Sequence, residues 1–258
     1  MALIDATTRF NADALTADVI GIAARVGKHD SGMHQHNKAQ LLYAPQGCIT
    51  FTIRRQQYVL PPTRAAWIPA GVPHCATMNN VVEYRSVYFD AHLAQAVDTD
   101  IRIVEVNALL QALIERMAFW PWDKPKHDMQ NTCALFFEEF QQAPVQHLSL
   151  PLPEDRRLTA WLTQLHNDVT MPPPLNQLCQ QVGASSKTIT RIFQRETGMP
   201  YQDWRAQWRL LKAIEHLSGG AAVNDVADRL AFSSDSAFIA FFRQHTGRTP
   251  RQYLQASD

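Results

Sequence analysis

Hydrophobic and polar positions follow different rhythms in the two parts of this chain. Up to about residue 100, short β-rich runs recur at Leu41–Tyr43, Cys48–Ile53, Gln57–Leu60, Ala65–Ile68 and Val81–Phe89. Turn residues interrupt them at Pro45-Gln46-Gly47, Pro61-Pro62, Pro69-Ala70-Gly71 and Asn79-Asn80. Many short strands at such spacing predict an antiparallel sandwich or barrel. Beyond residue 100 the apolar period becomes helical. Leu109, Leu110, Leu113, Ile114 and Met117 form one stripe, and Cys133, Phe136, Phe137 and Phe140 form another. Two such helices can cover the open end of a small barrel or join it to a second copy. Ala143–Pro153 holds three prolines and reads as a linker. A helix over about Glu154–Val169 follows and Pro172-Pro173-Pro174 ends it. The remainder is helical, with turns at Gly183, Gly198, Gly219-Gly220 and Gly247.

Composition narrows the class. The 258 residues are 46% hydrophobic and 19% charged, enough for a packed core and too little charge for general disorder. No apolar run approaches the roughly 20 residues needed to span a bilayer. Met1 to Asn11 lack the apolar core of a secretory signal, so a cytoplasmic protein is expected. Cys48, Cys75, Cys133 and Cys179 lie far apart without a CxxC pair, which argues against a disulfide framework or a zinc finger. The formal net charge is +0, yet basic residues cluster locally. Ser185 to Ala213 carries Lys187, Arg191, Arg195, Arg205, Arg209 and Lys212 against Glu196 and Asp203. Ser236 to Ser257 carries three arginines and no acid. Two basic segments in a neutral chain suggest a polyanionic partner.

The last third repeats itself. Leu178-Cys-Gln-Gln-Val-Gly-Ala-Ser-Ser186 aligns with Val226-Ala-Asp-Arg-Leu-Ala-Phe-Ser-Ser234, at an offset of 48 residues. Thr197-Gly198 aligns with Thr246-Gly247, one residue further along. Each copy reads as short helix, tight turn, Ser-Ser cap and longer helix, the helix-turn-helix layout. At about 100° per residue, Ile189, Ile192 and Phe193 fall on one side of the longer helix of the first copy. Lys187, Thr188, Thr190, Arg191, Gln194 and Arg195 fill the other side. Guanidinium grips guanine bidentately, while Lys and Thr reach phosphates and base edges, so this face suits a major groove. Tyr201 to Ser218, with Trp204, Trp208, Leu211 and Ile214 at helical spacing, would hold the two copies about 34 Å apart.

Residues 154–258 resemble the DNA-binding domain of the AraC/XylS family of bacterial transcription regulators, which joins two helix-turn-helix units by a long helix. The first unit matches through Val182-Gly183-Ala184-Ser185-Ser186-Lys187-Thr188-Ile189-Thr190-Arg191-Ile192-Phe193 and Glu196-Thr197-Gly198. The second matches through Ala231-Phe232-Ser233-Ser234-Asp235-Ser236, Phe242-Arg243 and Gly247-Arg248-Thr249-Pro250-Arg251-Gln252-Tyr253. Ala231 stands where the family usually has glycine, so φ is expected to stay negative there. Ile239 and Ala240 stand where it often places a polar residue and an arginine. Specificity is therefore expected mainly in the first unit. The DNA-contact candidates are Ser186, Lys187, Thr188, Thr190, Arg191 and Arg195, then Ser234, Asp235, Ser236, Ile239 and Arg243. Ile239 would meet a thymine methyl and Arg243 a phosphate.

His34-Gln35-His36, Gln40, Gly47 and Pro69-Ala70-Gly71-Val72-Pro73-His74 form a second constellation. Alternation in a strand puts His34, His36 and Gln40 on one face. The pattern resembles the cupin barrel, whose motifs bring three histidines and a glutamate to a metal; here Gln40 holds the glutamate position. Three neutral imidazoles can hold Zn, Ni or Fe with an open position. A metal centre in a sensor pocket, a metal-free pocket and a metal-dependent enzyme all stay open at this point. Tyr43, Phe51 and Trp67 are candidate pocket or core residues. No Gly-rich phosphate loop, GxSxG or HExxH occurs.

The expected architecture is α+β and multidomain: a cupin-like β-barrel with flanking helices over 1–145, for effector binding and dimerisation, and an all-α DNA-binding domain over 146–258. The two helix-turn-helix units fall at about 175–197 and 223–246. The resemblance implies a regulator, an activator or repressor of transport, efflux or catabolic genes, that binds promoter or operator DNA as a homodimer. A small effector or a metal in the barrel would control it, with RNA polymerase as a further contact. The alternative is a metal-dependent cupin enzyme with a helical interaction module.

Overall fold

In the computed structural model, described for residues 10–255 except 80, 96, 98, 99, 147, 148, 169 and 170, two antiparallel five-stranded sheets precede a helical domain. The turn expected at Asn80, the helix end expected at Val169 and the segment before Phe10 lie outside the described residues. The strands are β1 (Val19–Val26), β2 (His29–Asp30), β3 (Ala39–Gln46), β4 (Ile49–Ile53), β5 (Gln56–Leu60), β6 (Arg64–Ile68), β7 (His74–Met78), β8 (Val82–Phe89), β9 (Arg102–Glu105) and β10 (Ser149–Pro151). One sheet runs β1-β8-β3-β6-β9 and the other β10-β5-β4-β7-β2. They pack face to face in a cupin-like sandwich. Strand alternation sends Leu42, Ala44, Phe51, Ile53, Ala66, Ile68, Ala76 and Met78 into the space between the sheets.

The helices are α1 (Ala91–Ala94), α2 (Ala108–Ala118), α3 (Lys126–Gln142), α4 (Arg156–Asp168), α5 (Leu175–Val182), α6 (Ser186–Thr197), α7 (Tyr201–Ser218), α8 (Val223–Arg229), α9 (Asp235–Thr246) and α10 (Pro250–Leu254). The apolar stripes of α2 and α3 cover the outer face of the first sheet, not an open barrel end: Leu110, Ile114, Met117, Phe136 and Phe140 pack on Leu41, Tyr43, Trp67, Val87 and Phe89. The approach is close at β1. A Cβ on Gly21 would lie 2.0 Å from the Met117 carbonyl oxygen, so only glycine lets the end of α2 sit there.

This packing corrects the pocket reading of Tyr43, Phe51 and Trp67. Tyr43 and Trp67 point out of the sandwich into the helix layer, while Phe51 points inward and stacks on Tyr58 at 4.8 Å. The three share no face, and all are buried core.

The proline-rich connection is not a free linker. Val145 bridges to Val104, Gln146 N donates to Ile103 O at 2.8 Å, and Ser149–Pro151 pairs with β5. On its far side, Trp204 Nε1 donates to Pro151 O at 2.7 Å. The helical domain thus docks on the second sheet through α7. Asn79 Nδ2 donates to Glu215 Oε1 at 2.7 Å, and the Arg64 guanidinium lies 5.3 Å from the centre of the Tyr253 ring.

Candidate functional site

Each half of the repeat folds as two helices around a tight turn, α5 with α6 and α8 with α9. Ser185 and Ser234 are the N-caps: their hydroxyls accept from Thr188 N and Ala237 N, each at 3.2 Å. Ala184 N bonds to Cys179 O at 3.0 Å, and Phe232 N bonds to Ala227 O at 2.9 Å at the same place in the second copy. The backbone at the turn is the same in both. Gly183 has φ +64 and Ala231 has φ +53, so the expectation of a negative φ at Ala231 is overturned. The turn dictates the left-handed conformation, and here a residue with a Cβ adopts it.

In α6, Ile189, Ile192 and Phe193 are buried against Tyr201 and Trp204. Ser186, Lys187, Thr190, Arg191, Gln194 and Arg195 are exposed on the opposite side. Thr188 is half-buried, and its hydroxyl lies 2.9 Å from the Ser185 hydroxyl, inside the cap. Arg195 pairs with Glu196 and lies 3.9 Å from Asp155, which draws it toward α4. In α9, Phe238 and Phe242 are buried, while Ser236, Ile239 and Arg243 line one exposed groove with Ala240, Gln244 and Thr249. Gln244 and Thr249 escaped the sequence reading. The spacing 236, 239/240, 243/244 is the signal that could have found Gln244; Thr249 arrives only because the turn into α10 folds back.

The basic cluster from Ser185 to Ala213 divides in two. Lys187, Arg191 and Arg195 are exposed on α6. The other three hold the domain together: Arg205 Nε donates to Pro172 O at 2.6 Å, Arg209 Nη2 to Leu230 O at 2.7 Å, and Lys212 Nζ to Glu215 at 2.7 Å. The charge pattern alone could not separate them.

The second constellation assembles between the sheets. His34 and His74 exchange backbone bonds, each N to O at 2.9 Å, and one ring nitrogen from each of His34, His36 and His74 lies within 4.8 Å of the others. Every Nδ1 faces a carbonyl: His34 that of Gly32 at 2.9 Å, His36 that of Lys38 at 2.5 Å, and His74 that of Val72 at 2.8 Å. Carbonyls only accept, so each Nδ1 carries a proton and Nε2 is the nitrogen whose lone pair a neutral ring would offer. His74 Nε2 is buried without a hydrogen-bond partner. Burial, together with the neighbouring His34 and His36, depresses the His74 pKa to about 4 against the acceptor at Val72, so it is a neutral imidazole at pH 7. His36 Nε2 lies 3.1 Å from Gln40 Oε1, while the Gln40 amide nitrogen meets the hydroxyls of Ser86 at 2.9 Å and Tyr88 at 3.0 Å. A lone pair facing an amide oxygen calls for a shared cation, or for the amide turned with its NH2 toward His36. Cys75 faces the other side of its strand and donates to Asp30 at 3.1 Å.

A family model described as a helix-turn-helix domain matches residues 178–256. The HTH-type transcriptional regulator NimR of Escherichia coli is 28% identical over 225 residues, 87% of this chain and 82% of its own. The chain carries a helix-turn-helix domain and is similar over most of its length to a transcription regulator. It is thus a DNA-binding regulator, and the reading as a metal-dependent enzyme falls: its relatives are regulators. RipA of Corynebacterium glutamicum is 30% identical over 40% of this chain and spans the match with 31% of its own length. Among solved structures, fatty acid-bound ToxT of Vibrio cholerae superposes over 96% of this chain and 98% of its own at 10% identity, with a TM-score of 0.40. Among the described residues, no helix is long and apolar enough to cross a membrane.

Proposed function

We propose that α6 reads DNA sequence and α9 anchors the second half-site. The observation that carries this is the α6 surface: Lys187, Thr190 and Arg191 stand exposed opposite a face sealed by Ile189, Ile192 and Phe193. Arg191 grips a base edge, Thr190 supports it, and Lys187 with Ser186 meets phosphates near the helix N-terminus. Arg195 contributes at the edge of this face and Thr188 through the cap. In the second unit Ser234, Asp235 and Ser236 open the helix at the backbone, Arg243 meets a phosphate and Ile239 a thymine methyl. Titrating the upstream DNA of the regulator's own gene at several salt concentrations tests this. Tight, salt-sensitive binding that survives scrambling of one half-site better than the other supports the asymmetry; equal losses overturn it.

The sheet sandwich is the sensor, and the histidine cluster is its candidate ligand site. The lone pairs of His34, His36 and His74, with an orphaned buried Nε2, fit a divalent Zn, Ni or Fe ion, with Gln40 beside it as a neutral fourth donor. Such an ion would supply an open coordination position for an effector's donor atom. Metal content of the purified protein, with DNA affinity before and after chelation, decides between a metal centre and a metal-free pocket. Exposed Leu109, Phe119 and Leu135 on or beside α2 and α3 support pairing with a second copy, which sedimentation would detect. Which transport, efflux or catabolic genes respond follows from footprinting.

A further inference from the structure

A cavity of about 590 Å³ lies between the outer face of the second sheet and the helical domain, within the size range of small-molecule sites. It is on the other side of that sheet from the histidine cluster, because His74 and Thr77 point to opposite faces of β7. Its two walls differ. Leu162, Leu165 and Trp208 make the helix side apolar, while Thr52 and Thr77 place hydroxyls along the sheet side, with Leu150 of β10 at its edge. Its charges nearly cancel. Lys212 is committed to Glu215 at 2.7 Å, and Lys28 and Asp30 bring opposite signs to the same lining.

We propose that this interdomain cavity binds an uncharged, mostly apolar organic molecule with hydrogen-bonding groups along one edge, and that occupancy alters DNA affinity. The apolar body lies against Trp208 and Leu162, and the polar edge faces Thr52 and Thr77. Charged ligands are disfavoured because Lys212 is already paired with Glu215 and the charges of Lys28 and Asp30 offset each other across the lining. The coupling follows from the wall itself. Trp208 and Lys212 belong to α7, the helix that separates the two helix-turn-helix units, and Glu215 on the same helix holds Asn79 of the sheet domain. A ligand that favours one seating of α7 on the sheet therefore shifts the population that fits DNA. The coupling, though not the cavity, rests on the regulator reading.

The full-length chain is titrated with neutral N-phenyl-1-naphthylamine and with its anionic relative 1-anilinonaphthalene-8-sulfonate, following probe fluorescence. Two cavity-filling variants are compared, Thr77→Trp from the sheet side and Leu162→Trp from the helix side, each checked for wild-type circular dichroism. Saturable binding of the neutral probe to a single site, lost in either folded variant, with DNA affinity changed about fivefold or more, is expected. Tighter binding of the sulfonate at that site overturns the uncharged class. Neutral-probe binding that is absent, or unaffected by both fillings, overturns the site. Binding with unchanged DNA affinity overturns the coupling. If the free protein fails to bind DNA at all, the regulator reading fails, and the probe titration still decides the cavity.

Discussion

The guanidinium of Arg209 lies 3.7 Å from the centre of the Phe232 ring and donates through Nη2 to Leu230 O at 2.7 Å and Ala231 O at 3.2 Å. The long helix α7 thereby braces the one turn of the repeat in which a left-handed residue is not glycine. Relieving that conformation should help. Ala231→Gly is expected to stabilise the protein by about 1 kcal/mol, and Arg209→Ala to destabilise it by about 1–3 kcal/mol. Urea unfolding of both variants and of the double mutant measures this. An unchanged midpoint for Ala231→Gly would show that the turn stores no strain.

The division of the basic residues gives a second expectation. Arg191→Ala should cost about 1–3 kcal/mol in DNA binding and relax preference at one base pair, while Lys187→Ala should lower the salt slope by about 1. Arg205→Ala should instead lower the unfolding midpoint, because its partner is the buried-side carbonyl of Pro172. Equal effects of Arg191→Ala on every operator sequence would remove it from base readout.

Acid should loosen the seam between the domains. Burial works to raise the Glu215 carboxyl, but Lys212 and Asn79 hold it below its ordinary value of 4.5. A carboxylate depressed in the folded state contributes stability above the unfolded value, and that contribution is lost as pH falls through the folded value. Stability should therefore drop on acidification below 4.5, and less steeply in Glu215→Gln. Parallel pH curves for the two proteins would contradict this.

Metal binding has a separate signature. Zn²⁺ added to the metal-free protein should raise its melting temperature, and His74→Ala should weaken Zn²⁺ affinity about tenfold or more by calorimetry. Gln40→Glu, which adds a charged donor, should tighten it. Identical zinc titrations for wild type and His74→Ala would leave the histidines as hydrogen-bonding groups of a metal-free pocket.

The helix-turn-helix repeat was readable because its signals are local: a helix face, a capping serine, a turn, all within about 20 residues. Strands bounded by Pro and Gly were readable for the same reason. β1 was not among the marked runs, since it is buried on both faces and its residues do not alternate. β10 hid among prolines because an edge strand tolerates Pro151. The positive φ of Ala231 is imposed by the turn, which the identity of the residue conceals. Its brace Arg209 lies 22 residues away, and the fate of Arg205 and Lys212 depends on partners that only folding brings near. The histidine triad was legible in composition and spacing; the orphaned nitrogen of His74 was not, because it is a property of the packed interior.

The stretch Ser149–Pro151 is an edge strand of one domain and, through Pro151, the hydrogen-bond acceptor for Trp204 of the other. Anyone wishing to isolate the DNA-binding part must therefore choose where to cut. A fragment beginning at Glu154 strands the indole of Trp204 beside a vanished acceptor, whereas one beginning just before Ser149 carries its own seal. A cut at residue 146 keeps Pro151 with Trp204, and a cut at the start of α4 parts them.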